Sequence, residues 1–129
     1  MYTSDWFNNL NKPFLNPPSE IFQPVWIILY TMMVFSLLVF VTKSTDKSKM
    51  YGYMYFGIQL FFNIIWSPIF FLIQNIGFAF LTIVLLDIFT ILTVKEFYKV
   101  SKISALLLIP YTIWILFATY LNGAYFYLN

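Results

Sequence analysis

The 129-residue chain has no cysteine and no histidine, and all seven of its basic residues are lysines, so arginine is missing as well. Without cysteine, disulfides, thiolate metal sites and cysteine nucleophiles are excluded. Without histidine, the commonest acid/base group and the commonest haem and metal ligand are gone. Charge of either sign is scarce: charged residues make up 9% of the chain, against about 25% in a soluble domain. Five acidic and seven basic side chains cannot coat a water-facing body of this size, so lipid must cover most of it. The net charge of +2 is scattered and leaves no nucleic-acid footprint. No glycine-rich phosphate loop is present.

What the chain has in abundance is apolar and aromatic: 61% hydrophobic and 23% aromatic residues. Four apolar stretches run near 22–42, 50–73, 77–94 and 103–127. Each is close to the ~20 residues that carry a helix across ~30 Å of hydrocarbon. The runs are continuous and do not alternate, which argues against strands. The prediction is an all-α polytopic bundle, with 1–129 as one transmembrane domain. Residues 1–21 are polar and proline-rich, lack the pattern of a signal peptide, and read as a loop or lid with an aromatic edge at Trp6 and Phe7. Lys43, Lys47 and Lys49 mark one connection, and Lys95, Lys99 and Lys102 another. Two spans lie between them, so both fall on one side, which the positive-inside rule makes cytoplasmic. The lean toward Ile, Phe, Asn, Lys and Tyr points to an AT-rich bacterial genome and hence to a bacterial cytoplasmic membrane.

Several residues stand out from this apolar background. Gln59, Asn63 and Ser67 recur every four residues and share one helix face, with Trp66 and Phe70 adjoining. Unpaired amides are costly in hydrocarbon, so that stripe faces protein or a cavity. Interhelical hydrogen bonding and ligand binding both fit. In the last span Tyr111, Trp114, Ala118, Leu121, Asn122 and Tyr125 follow helical spacing. Ala118 beside Trp114 leaves a notch that suits either a flat ligand or a neighbouring helix. Trp26 and Tyr30 stack one turn apart in the first span, where a headgroup-level aromatic belt is the alternative. Asp87 stands alone in the third span, as a candidate for proton coupling or as a protonated acid bonded to another helix. Pro68 and Pro110 each remove a helical hydrogen bond and are expected to kink their spans.

In order, these residues resemble the TspO/translocator protein family, also called tryptophan-rich sensory proteins. Trp6-Phe7-Asn8-Asn9-Leu10-Asn11-Lys12-Pro13 followed by Pro17-Pro18 is similar to the family's W-[YF]-x-x-L-x-K-P-x-x-x-P-P loop. Phe22-Gln23-Pro24-Val25-Trp26-Ile27-Ile28-Leu29-Tyr30 is similar to F-x-x-V-W-x-x-L-Y. Gln59-Leu60-Phe61-Phe62-Asn63-Ile64-Ile65-Trp66-Ser67, then Phe70-Phe71, is similar to Q-L-x-x-N-x-x-W-S-x-x-F-F. Pro110-Tyr111-Thr112-Ile113-Trp114, then Ala118-Thr119-Tyr120-Leu121-Asn122, is similar to P-Y-x-x-W-x-x-[FY]-A-x-x-L-N. Four blocks in family order make the resemblance specific. Two departures go with it. Family members have five helices, the first preceding the loop, so the spans here are expected to be the second to fifth. Leu15 replaces a frequent loop Trp.

The resemblance implies a helical bundle, often a homodimer, that binds porphyrins such as protoporphyrin IX and haem, or other flat hydrophobic ligands. Matching positions imply a pocket of Trp26, Tyr30, Asn63, Trp66, Ser67, Phe70, Trp114, Ala118, Leu121 and Asn122, with Trp6 and Phe7 in the lid. No cofactor is implied beyond porphyrin as ligand, and no metal. Some bacterial relatives are reported to degrade protoporphyrin in light, which makes Trp26 and Trp114 the candidate catalytic residues. A different reading is a small proton-coupled transporter. Small multidrug exporters are also short four-helix chains that depend on one intramembrane carboxylate, the part Asp87 would take, although their acid lies in the first helix. A non-catalytic scaffold is the third reading.

Overall fold

In the computed structural model, residues 22–129 are described. They form four helices: α1 Phe22–Thr42, α2 Met50–Phe71, α3 Ile76–Val100 and α4 Lys102–Leu128. The described residues are 88% helical and include no strand. Each helix is long and apolar enough to cross a membrane. The protein is an integral membrane helical bundle.

Helix α3 runs well past the apolar stretch that ends at 94, carrying Lys95, Glu96 and Lys99 on its surface. Those charges extend the helix beyond the hydrocarbon rather than breaking it, and Lys99 pairs with Glu96 at 2.8 Å. Ser101 alone makes the turn into α4. Its extended backbone ends α3 through a bond to the Phe97 carbonyl (2.8 Å). Its hydroxyl then accepts from the Ser104 N–H (3.3 Å), so one side chain caps the next helix. At the opposite end the reversal falls on residues 72–75, where Gln74 adopts a left-handed φ of 62°. Asn75 caps α3 by accepting from Phe78 N at 3.0 Å. Pro68 and Pro110 both lie inside unbroken helices.

Around the bundle the helices follow the order α1–α4–α3–α2, since α2 packs on α3, α3 on α4, and α4 on α1. Large apolar side chains such as Ile27, Phe35, Phe61, Leu81 and Ile113 point outward. The buried set instead includes Ser36, Gln59, Asn63, Thr90, Ser104 and Asn122. Polar groups inside and apolar groups outside is the arrangement hydrocarbon demands.

Two packing devices hold the lysine-bearing half. Ser36 and Ser104 exchange bonds, each hydroxyl donating to the other's backbone carbonyl (2.6 and 2.7 Å), which brings α1 against α4. Phe40 stacks on Phe97 at 4.0 Å between ring centroids. Gly52 makes room for that ring, because a Cβ there would lie 2.5 Å from Phe40 Cζ. The two lysine-bearing connections lie at one end of the bundle, where Lys47 Nζ bonds the Lys99 carbonyl (2.9 Å). Lys49 Nζ likewise bonds the Val41 and Lys43 carbonyls at the end of α1 (3.0 and 2.7 Å), which satisfies helix-terminal oxygens.

Candidate functional site

The half of the bundle away from the lysines holds most of the aromatic and amide side chains singled out in the sequence. Trp26 lies on α1, Trp66 late in α2, and Trp114 midway along α4. All three are partly buried, and each packs against both apolar clusters of the interior. One cluster includes Leu29, Met33, Tyr111 and Ala118; the other includes Phe70, Leu121 and Tyr125. The three indoles therefore mark the seam between two cores.

Trp26 meets Trp114 edge-on at 6.4 Å and 88°. It also lies 6.5 Å from Tyr111 and 5.5 Å from Tyr30. Such tilted and edge-to-face contacts are the favoured aromatic geometries. Trp66 tilts against Phe70 at 5.5 Å, and Phe70 meets Tyr125 edge-on at 6.0 Å.

A directed hydrogen-bond chain runs beneath these rings. Tyr30 on α1 donates to Asn63 Oδ1 on α2. Asn63 Nδ2 donates to the Tyr111 hydroxyl on α4 (2.9 Å), and Tyr111 donates back to Gln59 Oε1 on α2 (2.7 Å). Thr90 of α3 also reaches Gln59 Oε1, at 3.5 Å. Gln59 Nε2 ends the chain on the Met33 thioether of α1, at 3.8 Å. All four helices are joined through the one polar stripe. A second junction links Trp66 Nε1 to Asn122 Oδ1 (2.8 Å) and Asn122 Nδ2 to the Ile76 carbonyl (3.1 Å). The stripe of amides thus bonds across helices, and its partners include the Tyr30, Tyr111 and Trp66 side chains of the aromatic group.

Of the residues expected in a pocket, Trp26, Tyr30, Asn63 and Trp114 come together in one group. Trp66, Phe70, Leu121 and Asn122 form the neighbouring one, and buried Ala118 lies in the first core. Ser67 is half-buried on the same stretch of α2. Trp6 and Phe7 lie outside the described residues. Tyr111 and Gln59 prove more central than their place in the sequence reading suggested. The signals were there: Gln59 sits one turn before Asn63, and Tyr111 sits at i, i−3 from Trp114. A separate open cleft of about 480 Å³ lies at the end of the bundle away from the lysines, lined by residues that include Gln74, Asn75 and Phe126.

Asp87 stands apart from this group. It faces α4, where Thr119 Oγ1 lies 2.5 Å from its Oδ2. No cluster of metal-ligating side chains occurs among the described residues.

Fold and site together define a compact polytopic membrane protein whose interior gathers tryptophans, tyrosines and amides from the middle of the bundle toward the end away from the lysines. The sequence pattern of the TspO/MBR family matches residues 1–128. The chain belongs to that family. It is 42% identical over 125 residues to the tryptophan-rich protein TspO of Chlorobaculum tepidum, covering 96% of this chain and 79% of the relative. It is 37% identical over 120 residues to the translocator protein of Homo sapiens (91% and 70%). To the tryptophan-rich sensory protein of Cereibacter sphaeroides it is 32% identical over 118 residues (92% and 73%). It is thus a membrane protein of a sensor and receptor family.

Proposed function

We propose that this protein is a membrane receptor for tetrapyrroles such as protoporphyrin IX and haem, taken up between the aromatic side chains of α1, α2 and α4. The observation that carries the reading is the placement of Trp26, Trp66 and Trp114 on the seam between the two cores. A flat macrocycle needs two apolar faces and a polar edge. Parting the Trp26–Trp114 edge contact supplies the faces, and the amides of Asn63 and Asn122 below supply the edge. With no histidine or cysteine in the chain, haem is held here by stacking and burial rather than by strong axial ligands. The receptor works as a homodimer in the bacterial cytoplasmic membrane, with both lysine-bearing connections facing the cytoplasm.

Titration of the purified protein with protoporphyrin, followed by tryptophan quenching and porphyrin absorbance, tests the pocket. Each aromatic contact is worth about 0.5–1.5 kcal/mol beyond burial. Trp26→Phe plus Trp114→Phe keeps a smaller ring at each place and so loses part of about 1–3 kcal/mol, which weakens binding by about tenfold. Unchanged affinity overturns the pocket.

The direct Trp26–Trp114 contact favours one further activity, light-driven breakdown of the bound porphyrin. Illumination of the complex then yields a new absorbing product, whose formation is lost in the double variant. An illuminated complex that yields no product ends this second reading and leaves binding untouched.

A further inference from the structure

Asp87 takes no part in the aromatic site, and it is 7% exposed in the middle of α3. Helices α1 and α2 contain no Asp, Glu, Lys or Arg. The remaining charges of α3 and α4 (Lys95, Glu96, Lys99 and Lys102) sit at the lysine-bearing end. Lys95 is the nearest of them along the chain, about 12 Å away at the helical rise per residue.

Thr119 Oγ1 lies 2.5 Å from Asp87 Oδ2 and 2.8 Å from the Ile115 carbonyl. A threonine hydroxyl has only one hydrogen for these two contacts. If Asp87 is a carboxylate, that hydrogen goes to Oδ2 and none is left for Ile115. If Asp87 is the acid, its own proton goes to Thr119 and the threonine hydrogen goes on to Ile115, so both contacts are hydrogen bonds. Oδ1 decides between the two. It is buried and has no hydrogen-bond partner among the described residues. A carboxylate would leave half its charge there without compensation, whereas the acid leaves only a carbonyl oxygen.

We infer that Asp87 and Thr119 form a proton-binding site in the membrane core, with Asp87 held as the carboxylic acid that donates to Thr119 and so joins α3 to α4. The groups facing it contain no cation. From α4 comes the Tyr111 hydroxyl, which is already committed to Gln59. Helix α2 brings the neutral amide of Gln59, bonded to Thr90 of α3. Helix α1 packs mainly on α4 and meets α3 through the apolar Phe40–Phe97 stack, and its Tyr30 hydroxyl is bonded to Asn63. Once deprotonated, the site needs water or a cation, so the proton works as a latch on the α3–α4 seam.

Infrared spectra of the full chain reconstituted in lipid bilayers at neutral pH, in H2O and in D2O, test this. The expected result is a protonated-carboxyl C=O band that shifts in D2O and moves on isotope labelling of the aspartate carboxyls. It is lost in Asp87→Asn, moves to the higher frequency of a weaker hydrogen bond in Thr119→Val, and stays in place in Thr119→Ser. A wild-type spectrum with only carboxylate bands at neutral pH overturns the inference, whatever the variants do. So does an acid band that survives Asp87→Asn. A band that follows exchange of sodium for a bulky organic cation at fixed pH assigns the site to a metal cation and equally overturns it.

Discussion

Replacing Tyr111 by Phe isolates the polar chain from the aromatic packing around it. Tyr111 is fully buried. The substitution keeps the ring and its edge contact with Trp26 (6.5 Å). It removes one oxygen, which donates to Gln59 Oε1 at 2.7 Å and accepts from Asn63 Nδ2 at 2.9 Å. Gln59 Oε1 keeps a long contact from Thr90 at 3.5 Å, while Asn63 Nδ2 loses the acceptor it had. In a soluble core each group left bare would cost about 1–3 kcal/mol. Within a bilayer the unfolded helices also find partners, and interhelical hydrogen bonds average about 0.6 kcal/mol, with a maximum of about 1.7. Two such bonds give a loss of about 1.2 kcal/mol, and no more than about 3.4.

The assay is reversible unfolding in mixed micelles by increasing denaturing detergent, with Tyr111→Phe, Asn63→Ala and the double variant compared as a cycle. A coupling of about 0.5–1.5 kcal/mol is expected for directly bonded neighbours. Protoporphyrin affinity should be maintained in Tyr111→Phe, because its ring remains and the freed Asn63 amide can serve a ligand oxygen. If Tyr111→Phe unfolds within about 0.3 kcal/mol of wild type and the cycle shows no coupling, the chain of bonds does not hold the helices together and the argument fails.

Three smaller perturbations and one control probe the rest of the bundle by the same unfolding measurement. Gly52→Ala places a methyl group 2.5 Å from Phe40 Cζ; overpacking of about 1–3 kcal/mol outweighs the helix-propensity gain of about 1, so stability falls. Gly57→Ala is the control, since nothing lies within 4 Å of a Cβ there, and it leaves stability unchanged or raised. Asn122→Ala strips the acceptor from Trp66 Nε1 and the donor from the Ile76 carbonyl; a loss of about 1 kcal/mol and altered tryptophan emission are expected. Ser104→Ala removes its 2.7 Å bond to the Ser36 carbonyl but leaves Ser36 donating to the Ser104 carbonyl at 2.6 Å, so the loss stays near 0.6 kcal/mol.

The membrane bundle was legible because hydrocarbon imposes a length and a composition on every span, and four runs met both. The end of α3 was less legible. Apolar length measures how much helix lies in lipid, and Lys95–Val100 continues the helix into water, where charge costs nothing. The aromatic and amide faces were also readable from spacing, but spacing alone left open whether they bind partner helices or a ligand. Geometry shows why those alternatives were never exclusive. Asn63 joins Tyr30 to Tyr111, and Asn122 joins Trp66 to the start of α3. Both amides border the tryptophans of the candidate site. A ligand entering there must replace the bonds it breaks, so affinity depends on how well its polar edge mimics a tyrosine hydroxyl or an indole N–H. Contacts that depend on depth along two different helices, such as Ser36 with Ser104 or Thr119 with Asp87, had no signature in either helix alone. They emerge only once α4 is seen to pack against both α1 and α3. The Asp87 pair is the more consequential of the two, because Thr119 has only one hydrogen for the two acceptors it meets.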